Sequence, residues 1–312
     1  MRVLFLGTPL FALPTLQRLL QSSHSVVAVL TQPDRPQGRR QTVQSSPVKG
    51  AARAAGVSVI EPEDLAATAF LRTIQQRSPD CAIVVAYGRL LPLKLLEVFP
   101  HGVFNLHASL LPRYRGAAPI QWAILSGETE TGVTLFQIDE QLDHGPIALQ
   151  AKIPILPEDT AVTLAAKLSQ EGAALVIKLL DQLEKGKPDL QPQDEKLATY
   201  APRLSKADGK MDWRLKADQI HNKIRALQPW PGTVTQLEKQ SIRLLESRII
   251  SAQSAAAPPG SILKADSKVG LHVQTGQGVL EILRLQAEGG KPLTAAEFLR
   301  GHPILPGACF GV

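Results

Sequence analysis

The sequence predicts an α/β protein: a doubly wound, mainly parallel sheet followed by a small C-terminal β-barrel. Three observations carry this. Over the first ~200 residues, short apolar runs alternate with amphipathic stretches, as βα units require. After a polar, proline-containing stretch, five short strand-like segments follow one another, separated by glycine and proline. At 312 residues, the chain is long enough for two cores rather than one.

In the first part, strands are expected at residues 2–6, 25–31, 57–60, 81–86, 103–106, 133–138 and 147–153. Each is a bounded apolar run, "CAIVVA" (81–86) being the clearest. Between the first two, "LPTLQRLLQSS" places Leu13, Leu16, Leu19 and Leu20 at helical spacing. A long amphipathic helix follows the acidic pair Glu158-Asp159 and stops at Gly186. The stretch "KGKPDLQPQDEKLATYAPRLSKADGK" has no strong period and reads as a linker running along the first domain. This sets boundaries at 1–188 for the first domain, 189–207 for the linker and 208–312 for the second domain. A helix at 218–227 ends at "QPWPG", and "TVTQL", "SIRLLESRII", "GSILKA", "GLHVQT" and "GVLEILRLQ" then supply the strands of an oligonucleotide-binding-type (OB-like) barrel. Trp213 and Trp230 are read as core residues.

Composition narrows the function. The net charge is +6, and residues 205–312 carry 14 Lys and Arg against 9 Asp and Glu, a net of +5. A basic module beside a nearly neutral one suits a phosphate-rich partner. Cys81 and Cys309, far apart and one inside an apolar run, suit free thiols in a reducing, cytoplasmic setting. There is no C-x-x-C and no H-E-x-x-H, so no metal is expected. No apolar run approaches the ~20 residues of a membrane span.

The chemistry concentrates in "FNLHASLLPRYRGAAP" (104–119). On a strand, Asn105 and His107 point to one face with Leu106 turned opposite. In an open parallel sheet, ligands sit outside the carboxyl ends of the strands. Gly7-Thr8-Pro9, Tyr87-Gly88-Arg89, His107–Gly116 and Asp139–Gly145 are all expected there. Among them His107, Asn105 and Asp143 offer an acid or base, an amide donor and a carboxylate. The first turn, G-T-P-L-F-A, lacks the glycines of a dinucleotide fingerprint, and no G-x-S-x-G elbow supports a serine nucleophile. What remains is transfer between two bound substrates without a protein nucleophile.

The segments "FNLHASLLPRYRGAAPIQ" and "QIDEQLDHGPI" closely resemble the folate-dependent formyltransferases. "FLGTPLFALPTL", "TQPDRPQGRR…SSPVK", "VVAYGRLLP", "YAPRLSKADGKMDW" and "IRALQPWPG" extend the resemblance over nearly the whole chain, and the 32–49 loop and C-terminal motifs match the members that act on tRNA. The resemblance implies a Rossmann-like catalytic domain with Asn105, His107 and Asp143 as its catalytic trio. It implies folate contacts from Arg89, Leu90, Leu91, Ser109, Leu110, Leu111 and Pro112. It further implies a monomer that uses 10-formyltetrahydrofolate as donor and the α-amino group of initiator methionyl-tRNA as acceptor. Contacts to tRNA would come from Arg35, Arg39, Arg40, Lys49, Lys206 and Lys210. Four positions depart from the pattern. His144 stands where relatives more often carry threonine, and Arg40, Gln41 and Thr42 where they carry a glycine and two lysines.

Two other readings share some of these residues. The formyl donor could serve a small amine, glycinamide ribonucleotide or an amino sugar, but such an acceptor needs neither the basic barrel nor the 32–49 loop. A non-catalytic RNA-binding protein would need only the barrel, and leaves the trio unexplained.

Overall fold

The computed structural model describes residues 1–34, 36–37, 42–43, 45–186, 188–305 and 307–311. The backbone divides into two compact units, Met1–Pro119 with Glu130–Pro154 and Ala165–Ala201, and Ile120–Thr129 with Ile155–Leu164 and Pro202–Val312.

Up to residue 201 the chain carries, in order, β1 (Arg2–Gly7), α1 (Leu13–Leu20), β2 (Ser25–Leu30), the short pair β3 (Pro36–Gln37) and β4 (Thr42–Val43), and α2 (Pro47–Ala54). Next come β5 (Val59–Ile60), α3 (Thr68–Gln75), β6 (Cys81–Val85), α4 (Leu93–Leu96), β7 (Val103–His107) and β8 (Arg115–Gly116). The run closes with α5 (Pro119–Leu125), β9 (Glu130–Gln137), β10 (Ile147–Pro154), α6 (Ala161–Lys185) and β11 (Tyr200–Ala201).

The main sheet has the order β10-β9-β7-β6-β1-β2-β5. Its β1–β2, β1–β6, β2–β5 and β6–β7 pairs are parallel. Central strands are buried on both faces, and so β1 and β6 read as unbroken apolar runs rather than alternating ones. Burial pushes the thiol of Cys81, first residue of β6, up to about 12, which makes it an inert core residue. In β7, Leu106 turns toward α6. A side chain at Gly172 of that helix would collide with it, so the glycine makes room. Asn105 and His107 consequently share the other face.

One expectation is corrected here. β9 runs antiparallel to β7, with Gln137 opposite Phe104. Its carboxyl end therefore lies three residues back along β7 from His107, not at the common rim. The 138–146 connection must turn back along β7 to reach the imidazole.

The second unit supplies α7 (Ala217–Ala226), β12 (Thr233–Leu237), β13 (Gln240–Ser251), β14 (Ile262–Asp266), β15 (Gly270–Gln274), β16 (Val279–Ala287), β17 (Leu293–Thr294), α8 (Ala295–Gly301) and β18 (Phe310–Gly311). Its antiparallel sheet has the order β14-β15-β16-β13-β12-β18, with β17 on β16. A bridge between Ser261 and Cys309, with Ile262 N donating to Ala308 O at 3.0 Å, joins the two ends of this order. The sheet thereby closes into a small barrel. Trp213 stacks on Phe310 at 5.4 Å and its indole N–H donates to Thr235 at 3.0 Å, inside a core with Ile220, Leu244 and Leu280. Trp230 differs from its expectation. It is 51% exposed, because the turn after α7 holds it outside that core.

Candidate active site

His107 ends β7 and is buried. Its Nε2 lies 2.8 Å from the carbonyl oxygen of Tyr114. A carbonyl only accepts, so Nε2 carries a proton and Nδ1 is left facing Asp143. The Nδ1 to Asp143 Oδ2 distance is 3.7 Å, an ion-pair separation rather than a hydrogen bond. The same Oδ2 accepts from the backbone N–H of Gly116 at 2.8 Å. Asn105, half-buried on the same face of β7, is not hydrogen-bonded through its carboxamide to any described residue. Those amide protons are available to a ligand.

Asp143 sits at φ +49°, the left-handed region, which costs a non-glycine residue on the order of 1 kcal/mol. Gln193 holds it there. Its Nε2 donates to Asp143 O at 2.9 Å and to Gly145 O at 2.8 Å. Its Oε1 accepts from Arg115 Nη2 at 2.8 Å and Nε at 3.2 Å. Arg115 is buried and also grips Glu195, at 2.6 and 3.0 Å. The Arg115 guanidinium holds the Glu195 carboxyl below its ordinary range, and Glu195 raises Arg115 in turn.

The stretch read as linker therefore belongs to this site. Gln191 pairs with Ile147, Thr199 accepts from Tyr114 N at 2.9 Å, and β11 pairs with β8. Sequence reasoning missed Gln193 and Glu195 because their segment has no periodicity. Tyr114 and Arg115 lay inside the quoted motif, but nothing in it distinguished an inward arginine from a surface one. His144, beside Asp143, is bound to Asp139 at 2.6 Å and stands 3.5 Å from Glu195.

The other expected contacts disperse. Arg89 donates to the carbonyls of Pro62 and Glu63 at 2.7 and 2.9 Å, tying down a turn, while Leu90 is 85% exposed and Leu91 packs on the core. Ser109 is buried with its hydroxyl on Arg113 O at 2.6 Å. Leu110, Leu111 and Pro112 line an open pocket of about 480 Å³ with Gln150, Lys152 and Leu197, and none of the trio lines it.

Lys49 is buried, its ammonium on Asp34 at 2.6 Å and Glu61 at 2.8 Å. These carboxylates raise its pKa, and Lys49 in turn lowers that of Asp34. Arg35, Arg39 and Arg40 lie outside the described residues. Lys206 and Lys210 are exposed on the second unit, and no described carboxylate pairs with either ammonium. Lys223 and Arg225, by contrast, are spent on carbonyls of Lys210 and Asp159. Among the described residues no cluster of three or more His, Cys, Asp or Glu could hold a metal ion, and no helix is long and apolar enough to cross a membrane.

Comparison with known proteins agrees with this architecture. Residues 1–180 match the formyl transferase family and residues 203–303 the formyl transferase C-terminal domain. The chain is 46% identical over 307 residues to a methionyl-tRNA formyltransferase of Solibacter usitatus, covering 97% of this chain and 96% of that one. It is 42% identical over 311 residues to another of Desulforamulus reducens, covering 100% and 98%. Among solved structures, HypX from Aquifex aeolicus in complex with tetrahydrofolic acid superposes with a TM-score of 0.66 at 18% identity, over 96% of this chain and 47% of that longer one. An N-formyltransferase from Helicobacter canadensis, in complex with folinic acid and dTDP-3-aminofucose, gives 0.66 at 20% identity, over 90% and 98%. At such identities these two show a shared fold. The family matches and the full-length relatives go further: the chain belongs to the formyl transferase family, with methionyl-tRNA formyltransferases as its relatives from end to end.

Proposed function

We propose that the chain transfers the formyl group of 10-formyltetrahydrofolate to the α-amino group of initiator methionyl-tRNA, and that Asn105, His107 and Asp143 carry the reaction. The observation that carries this reading is the approach of Asp143 to His107, 3.7 Å, across a turn braced by Gln193.

The chemistry follows from the placement. The neutral amine attacks the formyl carbon, and the carbonyl oxygen becomes an oxyanion. Nδ1 of protonated His107 and the amide of Asn105, on one face of β7, donate to that oxygen. Losing one such donor typically lowers the rate by about 10²–10³. Asp143 balances the imidazolium and takes the proton of the attacking amine, directly or through water. As the intermediate collapses, the bond from the formyl carbon to N10 of the folate breaks, and N10 receives the proton that Asp143 took from the amine, which returns the carboxylate to its starting state. No covalent bond to the protein forms. Holding both substrates in register supplies much of the remaining acceleration.

The folate is assigned to Leu90 and Leu91 and to the Ser109–Pro112 segment; the two solved neighbours were each determined with a bound folate. Arg89 would shape the first of these through its turn. The tRNA is assigned to the basic second unit, through Lys206 and Lys210, and to Arg35, Arg39 and Arg40 of the 32–49 loop. Lys49 is left as an internal ion cluster. The catalytic domain at 1–188, linker at 189–207 and barrel domain at 208–312 remain the working division, with the 191–201 stretch serving the catalytic domain.

The test offers 10-formyltetrahydrofolate with charged initiator tRNA, free methionine, glycinamide ribonucleotide or an amino sugar nucleotide. Transfer to the tRNA alone is expected. Transfer to a small amine, or to none, would overturn the assignment.

A further inference from the structure

We infer that Gln193 is a positioning residue for the Asp143 carboxylate, and that the stretch around it acts as a strap which sets the active-site geometry. This rests on the role proposed for Asp143.

One side-chain amide meets both carbonyls that flank the strained turn, those of Asp143 and Gly145, at 2.9 and 2.8 Å. Two donors of one rigid amide cannot serve carbonyls two residues apart unless the turn has one particular shape. The amide cannot rotate to relax, because Oε1 is fixed by two bonds from the buried Arg115. Arg115 is fixed in turn by Glu195, two residues along the same strap. A second tether converges on the same carboxylate. Gly116 N, which donates to Asp143 Oδ2, belongs to β8, and β8 pairs with Tyr200 and Ala201 of the strap. Both the main chain and the side chain of Asp143 thus meet residues of the strap or of β8 paired with it, while Gln137 N of β9, donating to Pro146 O at 2.9 Å, anchors only the far end of the turn.

The discriminating variant is Gln193→Glu. It keeps the acceptor for Arg115 and the size of the side chain, but an ionised carboxylate cannot donate to the two carbonyls. A role limited to holding Arg115 tolerates it; a role in placing Asp143 does not. The account expects Q193E to lose about tenfold to a hundredfold in kcat, since misplacement of order 1 Å costs up to about 10². KM for each substrate should stay within about twofold, with little change in thermal midpoint. In the Asp143→Asn background, Q193E should cost nothing further. Asp189→Ala, on the same stretch with its side chain exposed, is the control with unchanged turnover. If Q193E does not fold, Gln193→Ala is read by the double-variant criterion alone: its loss of kcat must vanish on top of D143N, and a loss that persists there overturns the inference. Wild-type kcat in Q193E beside an inactive D143N overturns the inference alone. So does a loss that persists in full on top of D143N. Full activity of D143N overturns the reading beneath it.

Discussion

His107 Nε2 is bound to the carbonyl of Tyr114 at 2.8 Å, which commits that nitrogen as a donor to the protein and leaves Nδ1, on the side of Asp143, for the role proposed for it. His107→Ala should therefore lower turnover by at least about 10²–10³ while leaving tRNA affinity intact. Single-turnover formylation alongside filter binding checks this. Parallel loss of both would make the histidine structural.

Gly116 links the strap to the carboxylate. It has φ +119°, and a Cβ there would lie 2.7 Å from Ala201 O. Gly116→Ala is expected to destabilise the protein by about 1–3 kcal/mol and to lower kcat as well, because the N–H that Asp143 accepts from must move. Urea titration and kcat on the same preparation measure the two effects.

Lys49 gives a pH-dependent prediction. Lys49→Met leaves Asp34 and Glu61 facing each other without their cation, at a cost of about 3 kcal/mol. The folded pKa of Asp34 is depressed, so its share is present above the unfolded value of about 3.9 and is lost as pH falls through the folded one. Lys49 is raised, so its share is present below about 10.4 and is lost as pH rises through its folded value. The stability gap between wild type and variant should be level from about pH 5 to 9 and should narrow below about pH 4. Affinity for tRNA should not change.

Lys206 and Lys210, exposed on the barrel unit, should behave oppositely. Replacing each with alanine is expected to weaken tRNA binding uniformly and to reduce the slope of log affinity against log salt by about 1 per residue. Thermal stability should hold. An unaltered slope would remove them from the interface.

Much of the architecture was legible because it rests on local pattern. The unbroken apolar run of β6 and the Leu16–Leu19 spacing of α1 each report a burial state that the sequence spells directly. That Asn105 and His107 share one face of β7 was legible by alternation, but the role proposed for them came only with the resemblance of the surrounding motif. The direction of β9 was not, since an apolar strand reads the same whichever way it runs, and that direction decides how Asp143 comes to His107. Lys49 read as a free cation because its carboxylate partners are 15 and 12 residues away. Gln193 was illegible for a similar reason. Its significance lies in four hydrogen bonds to residues 48 to 78 positions distant, in a segment whose composition is that of a solvated connection.

Single-turnover formylation of charged initiator tRNA by Asp143→Asn, with tRNA binding measured on the same protein, bears most directly on the whole scheme. An isosteric amide at that position should slow transfer by about a hundredfold or more and leave binding unaltered. Transfer at the wild-type rate would mean that the carboxylate beside His107 has no part in the reaction, and that the site must be sought elsewhere on the chain.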